Sequence, residues 1–371
     1  MKPRAELLVV AGEPSGDMLG ARVVAELGVP SFGLGGTELQ AAGTELIADV
    51  GRAAAMGLSA PLASAPAFLR AVLDLSRAVR KRRPRAALLV GFSEVNARIA
   101  TWLKRRRVRV VWYAPPQVWA WRRGRAARIA RTVDRLAVLL PFESDVWRRA
   151  GGRADYVGHP AFDRARRGPR QTTASAGPRL VALLPGSRKH ELLAHLPAML
   201  DAVSNHATPR GVALSARVVL SRALPEDTRN WARRAAAERG VLVSSDPIEI
   251  AVRGAHAAVV SSGTATLECA ALGVPPVIVY RTDRVTHFVA RNLVRVPWIG
   301  LPNLVLRRHA FPELVQGAVT AERIGDALRQ ILEDPAPHLS ACDETLTAMS
   351  EGLGAGTAAE RVAHMVEPWL S

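Results

Sequence analysis

Short apolar runs alternate with amphipathic stretches along the first half of the chain. The runs predicted to be strands are Leu7–Val10, Ala86–Phe92, Val108–Tyr113, Arg135–Leu140 and Asp155–Val157. The stretches predicted to be helices are Asp17–Glu26, Pro66–Arg83, Val95–Arg106, Arg122–Arg131 and Phe142–Arg149. Continuous apolar strands separated by helices are typical of a parallel, doubly wound sheet.

The same alternation begins again after Arg164–Gly177, a polar segment whose glycine and proline are typical of a linker. The predicted strands are Leu180–Leu184, Ala216–Leu220, Ala257–Val260 and Pro276–Tyr280, and the predicted helices are Lys189–Asn205, Pro225–Arg239, Thr264–Leu272 and Ala321–Leu332. We therefore predict two Rossmann-like α/β domains, 1–165 and 178–340, joined by a linker over 166–177 and facing a cleft. Residues 341–371 are predicted to form helices that pack back on an N-terminal domain, either their own or a partner's.

The composition is that of a globular protein of two domains, with 371 residues, 49% of them hydrophobic and 22% charged. The two cysteines, Cys269 and Cys342, form no disulfide framework, so we expect a reducing cytoplasm. The N-terminus lacks the pattern of a signal peptide, and the most apolar stretch, Ala257–Tyr280, is interrupted by Glu268 and by prolines, so no spanning helix is predicted. The histidines lack metal-ligand spacing, so neither a metal nor another cofactor is predicted.

Positive charge is concentrated in one region of the first domain. The net charge is +17, and Arg77–Arg135 carries 18 Lys or Arg against two acids, Glu94 and Asp134, so 18 minus 2 gives +16. Such a field attracts nucleic acid, an anionic lipid surface or a phosphorylated substrate. The alternative is a solvated arginine-rich face, because only four of the 50 basic residues are lysine.

Chemistry in a doubly wound sheet is expected in the loops that follow strands. The turn after the first strand holds Glu13, Ser15, Gly16 and Asp17 together. These residues either contact a substrate or only form a tight turn and cap the following helix.

Two further loops of the first domain add a carboxylate and an aromatic pair. Glu94, in Gly91–Asn96, stays ionised in its cationic region and is our candidate general base; the alternative is an acid that favours the helix dipole. Tyr113–Arg123 holds two tryptophans, and Trp119 is interpreted either as part of a sugar or acyl platform or as cover for the core.

The second domain has two loops suited to anions. Gly186, Ser187 and Arg188 open a helix, so backbone amides, a hydroxyl and a guanidinium come together as a diphosphate requires. Ser261–Thr264 leads into another helix in the same way, and Glu268 follows one turn later, where a carboxylate can accept hydrogen bonds from a ribose.

These loops together resemble those of the lipid-A-disaccharide synthases. The matching stretches are AGEPSGDMLGA (11–21), VWAWR (118–122), LLPFE (139–143), VGHP (157–160), LLPGSRKHE (183–191), SGTATLEC (262–269), VIVYR (277–281) and GLPNLVL (300–306). The resemblance implies a GT-B fold and an inverting, metal-independent reaction. In that reaction 2,3-diacylglucosamine passes from its UDP-linked form to 2,3-diacylglucosamine 1-phosphate, giving the β-1,6 disaccharide 1-phosphate and UDP.

The resemblance also implies site residues. The catalytic candidates are Glu94, Glu13, Ser15 and Arg188. The candidates for substrate binding are Gly16, Asp17, Asn96, Gln117, Trp119, Gly186, Ser187, Ser262, Gly263, Thr264, Glu268, Arg281 and Asn303. One departure concerns the base, because the family usually has Pro-Asp-Phe-Asn where this chain has Ser93–Asn96, so Glu94 replaces the aspartate with a side chain one methylene longer.

By the same resemblance we expect a peripheral protein on the inner face of the cytoplasmic membrane, with an anionic lipid surface, a second copy of the chain in a homodimer and no nucleic acid as partners. Ala53–Leu69 carries no charge and is predicted either to dip into the bilayer edge or to be an interior helix. Two other functions stay open. One is another GT-B transferase that uses a UDP-sugar and a lipid-linked acceptor, and the other, more remote, is a nucleic-acid-binding protein that uses Arg77–Arg135.

Overall fold

A computed structural model of the chain describes residues 6–49, 65–120, 123–167, 178–205, 213–282 and 296–370. Contacts divide the chain into two compact units, Met1–Pro160 with Gly352–Ser371, and Ala161–Glu351. Each unit contains one parallel sheet, which confirms the predicted fold class. The predicted boundaries of independently folding domains, 1–165 and 178–340, stay a prediction.

The sheet of the first unit has the spatial order β3-β2-β1-β4-β5-β6-β7 among the described strands. These strands are β1 (Leu7–Ala11), β2 (Ser31–Gly35), β3 (Thr44–Asp49), β4 (Ala86–Val90), β5 (Arg109–Tyr113), β6 (Arg135–Val138) and β7 (Ala154–Tyr156). The helices between them are α1 (Pro14–Leu27), α2 (Thr37–Ala41), α3 (Ala65–Arg82), α4 (Ser93–Lys104), α5 (Ala126–Ala130) and α6 (Glu143–Arg149), and α7 (Pro160–Arg167) follows.

The sheet of the second unit has the order β10-β9-β8-β11-β12-β13 in the described part of the chain. Its strands are β8 (Arg179–Leu184), β9 (Leu214–Val219), β10 (Leu242–Ser244), β11 (Ala255–Ser261), β12 (Pro276–Tyr280) and β13 (Glu313–Val315). Its helices are α8 (Lys189–Asn205), α9 (Glu226–Ala237), α10 (Ile248–Ala251), α11 (Thr264–Ala271), α12 (Leu301–Leu306), α13 (Ala321–Glu333) and α14 (Ala336–Ser350). The last helix, α15 (Ala358–Val366), belongs to the first unit.

Both faces of the first sheet are buried, because successive side chains of a strand point to opposite sides. Leu7 and Val9 of β1 pack with α1 and α15, through residues such as Val362. Leu8 and Val10 pack on the other side, with residues such as Leu75 of α3 and with α4. The continuous apolar pattern of the strands therefore follows from burial on both faces.

The order of the strands indicates where a ligand is expected to bind. In each sheet the order reverses once, between β1 and β4 in the first unit and between β8 and β11 in the second. Loops that leave the carboxyl ends of two such strands diverge to opposite faces and leave a crevice between them. The loops predicted to carry chemistry, 12–16 with 91–92 and 185–188 with 262–263, follow these four strands.

The sequence prediction missed several short or glycine-rich elements. These are β2, β3, β10, β13, α2, α10, α12 and α7. Helix α7 continues to Arg167, so the start of the predicted linker is helical. The rest of that linker, most of Ala53–Leu69, Trp121 and Arg122 lie outside the described residues. Among the described helices, none has the length and apolar character needed to cross a membrane.

Candidate functional site

A cavity of about 560 Å³ opens at the carboxyl ends of β8, β9 and β11 in the second unit. It brings together the two loops predicted to bind anions, because both line its wall. The lining residues are Leu184, Gly186–Arg188, Glu191, Val219–Arg222, Ser245–Ile248, Ser261–Ala265 and Glu268. Since α8 and α11 both begin here, two sets of helix amides lie at one cavity.

The backbone N–H groups of the loop before α8 donate hydrogen bonds to the side-chain carboxylate of Glu191. Glu191 Oε2 accepts hydrogen bonds from the backbone N–H groups of Ser187 (3.1 Å) and Arg188 (3.3 Å). Glu191 Oε1 accepts one from Nη1 of Arg188 at 2.9 Å. Gly186 has a φ of +122°, and a Cβ there would lie 2.6 Å from the Glu191 side chain. The glycine is therefore required both by its backbone conformation and by the space that the carboxylate fills.

The loop before α11 is also held by hydrogen bonds. Ser262 Oγ donates to the carbonyl of Ile299 (2.9 Å), and Thr266 Oγ1 donates to that of Gly263 (2.7 Å). Thr264 is exposed at the cavity, whereas Glu268 is 4% exposed. The buried Oγ of Ser261, which also lines the cavity, has no hydrogen-bond partner in the described part of the chain.

A buried histidine connects the first anion loop to β12. Nδ1 of His195 contacts the carbonyl of Pro185 at 2.9 Å, and its Nε2 accepts from the backbone N–H of Arg281 at 2.8 Å. This pair of partners requires the neutral imidazole with its proton on Nδ1. Burial lowers the pKa of His195 below its ordinary value, which favours the same neutral form.

The structure gives Arg281 and Asn303 internal partners. The guanidinium of Arg281 donates to the carbonyls of Gln316 and Val319. Asn303 is fully buried; its Nδ2 donates to the carbonyl of Phe311, and its Oδ1 accepts from the backbone N–H of Phe311 at the same distance of 2.9 Å. Neither residue lines the cavity, and their predicted place beside a substrate stays a prediction.

In the first unit, the turn after β1 exposes two of the four predicted residues. Glu13 and Ser15 are exposed, whereas Gly16 and Asp17 are buried. The carboxylate of Asp17 accepts from the backbone N–H groups of Gly36 (2.7 Å) and Glu38 (2.9 Å). Asp17 therefore caps the neighbouring helix α2 in this structure.

The loop after β4 lies directly against that turn. A Cβ on Gly12 would lie 2.4 Å from the ring of Phe92, so the ring occupies the space a side chain would need. The carbonyl of Gly91 accepts from Asn96 Nδ2 (2.9 Å) and from Trp112 Nε1 (3.1 Å), both of which lie beneath the loop. Asn96 is buried, so the structure places it as a support of the loop.

Glu94 stands exposed at the start of α4, and both its oxygens are engaged. Nη1 and Nη2 of Arg125 donate to them at 2.6 and 3.1 Å. The side chain of Arg125 is 15% exposed and that of Glu94 61%. A bidentate arginine orients the carboxylate, and the pair must open before Glu94 acts as a base.

Trp119 lies in the core of the first unit. Its Nε1 donates to Oε1 of Glu143 at 2.8 Å, and its ring meets that of Phe142 edge-on at 5.1 Å. Oε2 of Glu143 accepts from the backbone N–H groups of Leu139 and Leu140, both at 3.0 Å. Burial raises the pKa of Glu143. Of the predicted residues in this loop only Gln117 is exposed.

Sequence reasoning placed Ser261 in the loop before α11 but missed three other parts of the cavity wall, Glu191, Arg222 and the segment 245–248. It also missed His195, which contacts the loop before α8. An acid at the third position of α8 is a typical capping signal, so Glu191 was recognisable. His195 carries no local motif, and segment 245–248 follows β10, which itself was not predicted. Among the described residues, no cluster of three His, Cys, Asp or Glu side chains is arranged to hold a metal.

Much of the positive charge lies away from the predicted site. Helices α3 and α4 end at the amino ends of β4 and β5, at the sheet edge opposite the loops of Glu13 and Glu94. We name the exposed residues of these two connections, Arg83, Arg85 and Lys104–Arg107, the amino-edge cluster. Arg125, which pairs with Glu94, lies at the other edge because it follows β5.

Comparison with known proteins gives one consistent family. A family model described as lipid-A-disaccharide synthetase matches residues 7–352. The lipid-A-disaccharide synthase of Geobacter metallireducens is 35% identical over 98% of this chain and 97% of its own. That of Syntrophus aciditrophicus is 37% identical over 97% and 96%, and that of Myxococcus xanthus 37% identical over 98% of both chains.

Solved structures share the fold at low sequence identity. A calicheamicin glycosyltransferase matches with a TM-score of 0.60 and 15% identity, covering 100% of this chain and 99% of its own. A spinosyn rhamnosyltransferase matches with a TM-score of 0.55 and 16% identity over 97% and 99%. The UDP-GlcNAc 2-epimerase of Neisseria meningitidis, solved with UDP-GlcNAc, matches with a TM-score of 0.58 and 10% identity over 97% and 98%. These neighbours identify the GT-B arrangement of two parallel-sheet domains.

Proposed function

The chain belongs to the lipid-A-disaccharide synthase family and is therefore a glycosyltransferase of the hexosyltransferase class, and from this premise we propose its substrates. The donor is UDP-2,3-diacylglucosamine, and the acceptor is 2,3-diacylglucosamine 1-phosphate. The products are the β-1,6-linked disaccharide 1-phosphate and UDP.

The observation that carries the proposal is the cavity at the carboxyl edge of the second sheet. Its volume of about 560 Å³ suits a nucleoside diphosphate, and two helices begin at its wall. Arg188 and Arg222 supply positive charge for the phosphates. The buried carboxylate of Glu268 suits a ribose diol, and the Oγ of Ser261, which has no hydrogen-bond partner among the described residues, offers one more polar group to a ligand.

The proposed reaction is a single displacement with inversion at the anomeric carbon. The 6-hydroxyl of the acceptor attacks this carbon as its bond to the UDP oxygen breaks, and the hydroxyl proton passes to a carboxylate. Arg188 and helix amides stabilise the charge that develops on the leaving diphosphate, in the role a metal has elsewhere. Glu94 is the proposed base, with Glu13 or Asp17 as the substitute.

Of these three carboxylates, Asp17 is the most firmly occupied, because its oxygens accept from the backbone of Gly36 and Glu38. Glu13 is exposed at the start of α1 and has no side-chain capping bond there. Glu94 is paired with the guanidinium of Arg125, at 2.6 and 3.1 Å. This geometry supports Glu94 and Glu13 over Asp17.

We propose in addition that the protein associates peripherally with the inner face of the cytoplasmic membrane, since both substrates are acylated. The positive charge of the first unit suits an anionic lipid surface, where each nearby Lys or Arg adds about 1 kcal/mol. We also propose that the protein forms a homodimer.

The test is UDP release by the purified protein in detergent micelles that contain both substrates and EDTA. Release that depends on the acceptor, and that persists in EDTA, is the expected result. Binding of neither substrate would contradict the proposal and redirect it to other UDP-sugars.

The second candidate is another GT-B transferase that acts on a UDP-sugar and a lipid-linked acceptor, because the same cavity would hold any UDP-sugar. UDP-glucosamine derivatives without acyl chains discriminate the two functions. Turnover of UDP-N-acetylglucosamine at a rate equal to that of the diacylated donor would favour this second candidate.

A further inference from the structure

The amides that suit the diphosphate of a donor are occupied in this structure by Glu191. Its carboxylate accepts from the backbone N–H groups of Ser187 and Arg188 and from the guanidinium of Arg188. The side chain of Glu191 is only 10% exposed, whereas that of Arg188 is 72% exposed. The carboxylate is thus a buried group of the cavity wall, and the arginine is exposed to solvent.

A phosphate and this carboxylate cannot share the same donors without repulsion. Two anions in contact repel strongly where water is partly excluded, and a hydrogen bond of the carboxylate has to be exchanged for one of the phosphate. Glu191 also fills the space above Gly186, where a Cβ would lie 2.6 Å away, so no second group fits there while the carboxylate stays.

We propose that Glu191 is an internal anion that competes with the diphosphate of the nucleotide for Arg188 and for the loop amides, and so weakens UDP binding and speeds UDP release. The inference rests on the proposed function, because it takes a UDP-sugar as the ligand of the cavity. It makes Glu191 a positioning residue, since it acts through Arg188 and the loop.

A plain capping role predicts a different result. If Glu191 only caps α8, its replacement lowers stability and leaves the affinity for UDP equal or weaker. If it competes with phosphate, removal of its charge increases the affinity for UDP. Glu191→Gln separates the two roles, because the amide oxygen still accepts from the backbone while the negative charge is gone.

The experiment measures the Kd of UDP and of uridine by calorimetry for the wild type, Glu191→Gln and Glu226→Gln. Glu226 is a matched control, since it lies in the first turn of α9, pairs with Arg229 and Arg233, and does not line the cavity. We expect Glu191→Gln to bind UDP about tenfold more tightly, which is about 1.4 kcal/mol. Uridine, which lacks phosphates, is expected to bind all three proteins equally.

The kinetic counterpart is a split between KM and kcat. Glu191→Gln is expected to lower the KM of the donor and the inhibition constant of UDP, and to lower kcat because UDP leaves more slowly. Affinity for UDP that is unchanged or weaker in Glu191→Gln, with uridine binding intact, overturns the inference. Failure of the wild type to bind UDP counts against the proposed function itself.

A measurement without substitution guards against a variant that does not fold. In ¹⁵N-labelled wild-type protein, addition of UDP must shift the amide signals of Ser187 and Arg188, because both exchange a carboxylate for a phosphate. Uridine must leave them in place. If UDP binds and these two signals do not move, the exchange does not occur and the inference is wrong.

Discussion

Arg188 is the residue that we propose to stabilise the leaving diphosphate, and its substitution tests the proposed reaction directly. Arg188→Gln removes a charged hydrogen bond to the leaving diphosphate, worth about 1.5–3 kcal/mol. We therefore expect turnover to fall by about 10- to 100-fold, since about 1.4 kcal/mol is one decade. The measurement is acceptor-dependent UDP release at saturating donor.

Arg253→Gln is the matched control for this substitution, because Arg253 is an exposed arginine of the same unit that does not line the cavity. The control is expected to keep its turnover. Equal turnover in Arg188→Gln and Arg253→Gln would remove Arg188 from the mechanism.

Glu94 is the second residue whose role a substitution decides. Glu94→Gln keeps the shape of the side chain but cannot take the proton, so kcat is expected to fall by about 10²- to 10⁴-fold. KM is expected to change little if the glutamate acts only in proton transfer. Glu13→Gln, measured in parallel, identifies the base if Glu94→Gln keeps near wild-type turnover.

At the scale of elements, Trp119 connects the loop after β5 to α6. Trp119→Phe leaves Oε1 of Glu143, a buried oxygen, without its donor at 2.8 Å. We expect the free energy of unfolding to fall by about 1–3 kcal/mol, the cost of an unsatisfied buried polar group. Urea denaturation measures this loss.

Trp102→Phe is the control, because Trp102 is a half-buried tryptophan of the same unit whose ring is covered by the guanidinium of Arg106. A smaller loss of stability is expected there. If Trp119→Phe keeps full stability but loses activity, the bond to Glu143 does not stabilise the fold and Trp119 acts on the substrate.

His195 couples the loop before α8 to the end of β12, and this coupling is expected to depend on pH. Burial lowers the pKa of His195 in the folded state, and burial also lowers those of His256 and His338. Between the lowered and the ordinary pKa the unfolded chain binds more protons, so stability is lost as pH falls through this window. We expect the unfolding free energy to decrease from about pH 7.5 to about pH 5.5.

His195→Gln measures the share of His195 in this loss, and His190→Gln, an exposed histidine of the same helix, is its control. Urea titrations at several pH values are expected to show a shallower pH dependence for His195→Gln only. An unchanged slope in that variant would show that His195 has the same pKa in the folded and the unfolded chain, so that burial does not lower it.

Elements with a regular apolar pattern were predicted from the sequence, whereas a glycine-rich strand was not. Helix α8 and strand β12 were predicted residue for residue, because apolar periodicity and burial agree there. Strand β2, SFGLG, was missed although it is fully buried, since glycine carries no strand signal. The two anion loops were recognised from local chemistry, whereas the contact of Glu191 with Ser187 and the long-range bond between His195 and Arg281 required coordinates.

At the scale of the whole molecule, the sheet of the first unit separates positive charge from predicted chemistry. Because helices return antiparallel to the strands, helix ends carry the amino-edge cluster to one edge, and the loops of Glu13 and Glu94 lie at the other. The sequence indicates one basic region from Arg77 to Arg135, and the fold divides it between these two edges.

This division makes membrane attraction testable apart from activity. If the amino-edge cluster meets anionic lipid, replacing Lys104, Arg105, Arg106 and Arg107 by glutamine removes four contributions of about 1 kcal/mol each. Partition to vesicles that contain phosphatidylglycerol, measured by flotation, is then expected to weaken by up to about a thousandfold, since about 1.4 kcal/mol is tenfold. It should also weaken with salt, because the Debye length shrinks from about 10 Å at 0.1 M to about 3 Å at 1 M.

A control with the same loss of charge replaces Arg234, Arg253, Arg307 and Arg323, four exposed arginines of the second unit. It is expected to retain vesicle binding, and both quadruple variants are expected to keep turnover in micelles, since none of the eight residues lines the cavity. Equal loss in the two variants would mean that net charge alone attracts the lipid. Unchanged vesicle binding in both variants would indicate that apolar contacts, and not charge, hold the protein on the membrane. Met56→Asp and Leu62→Asp in the same flotation assay would then test the uncharged segment.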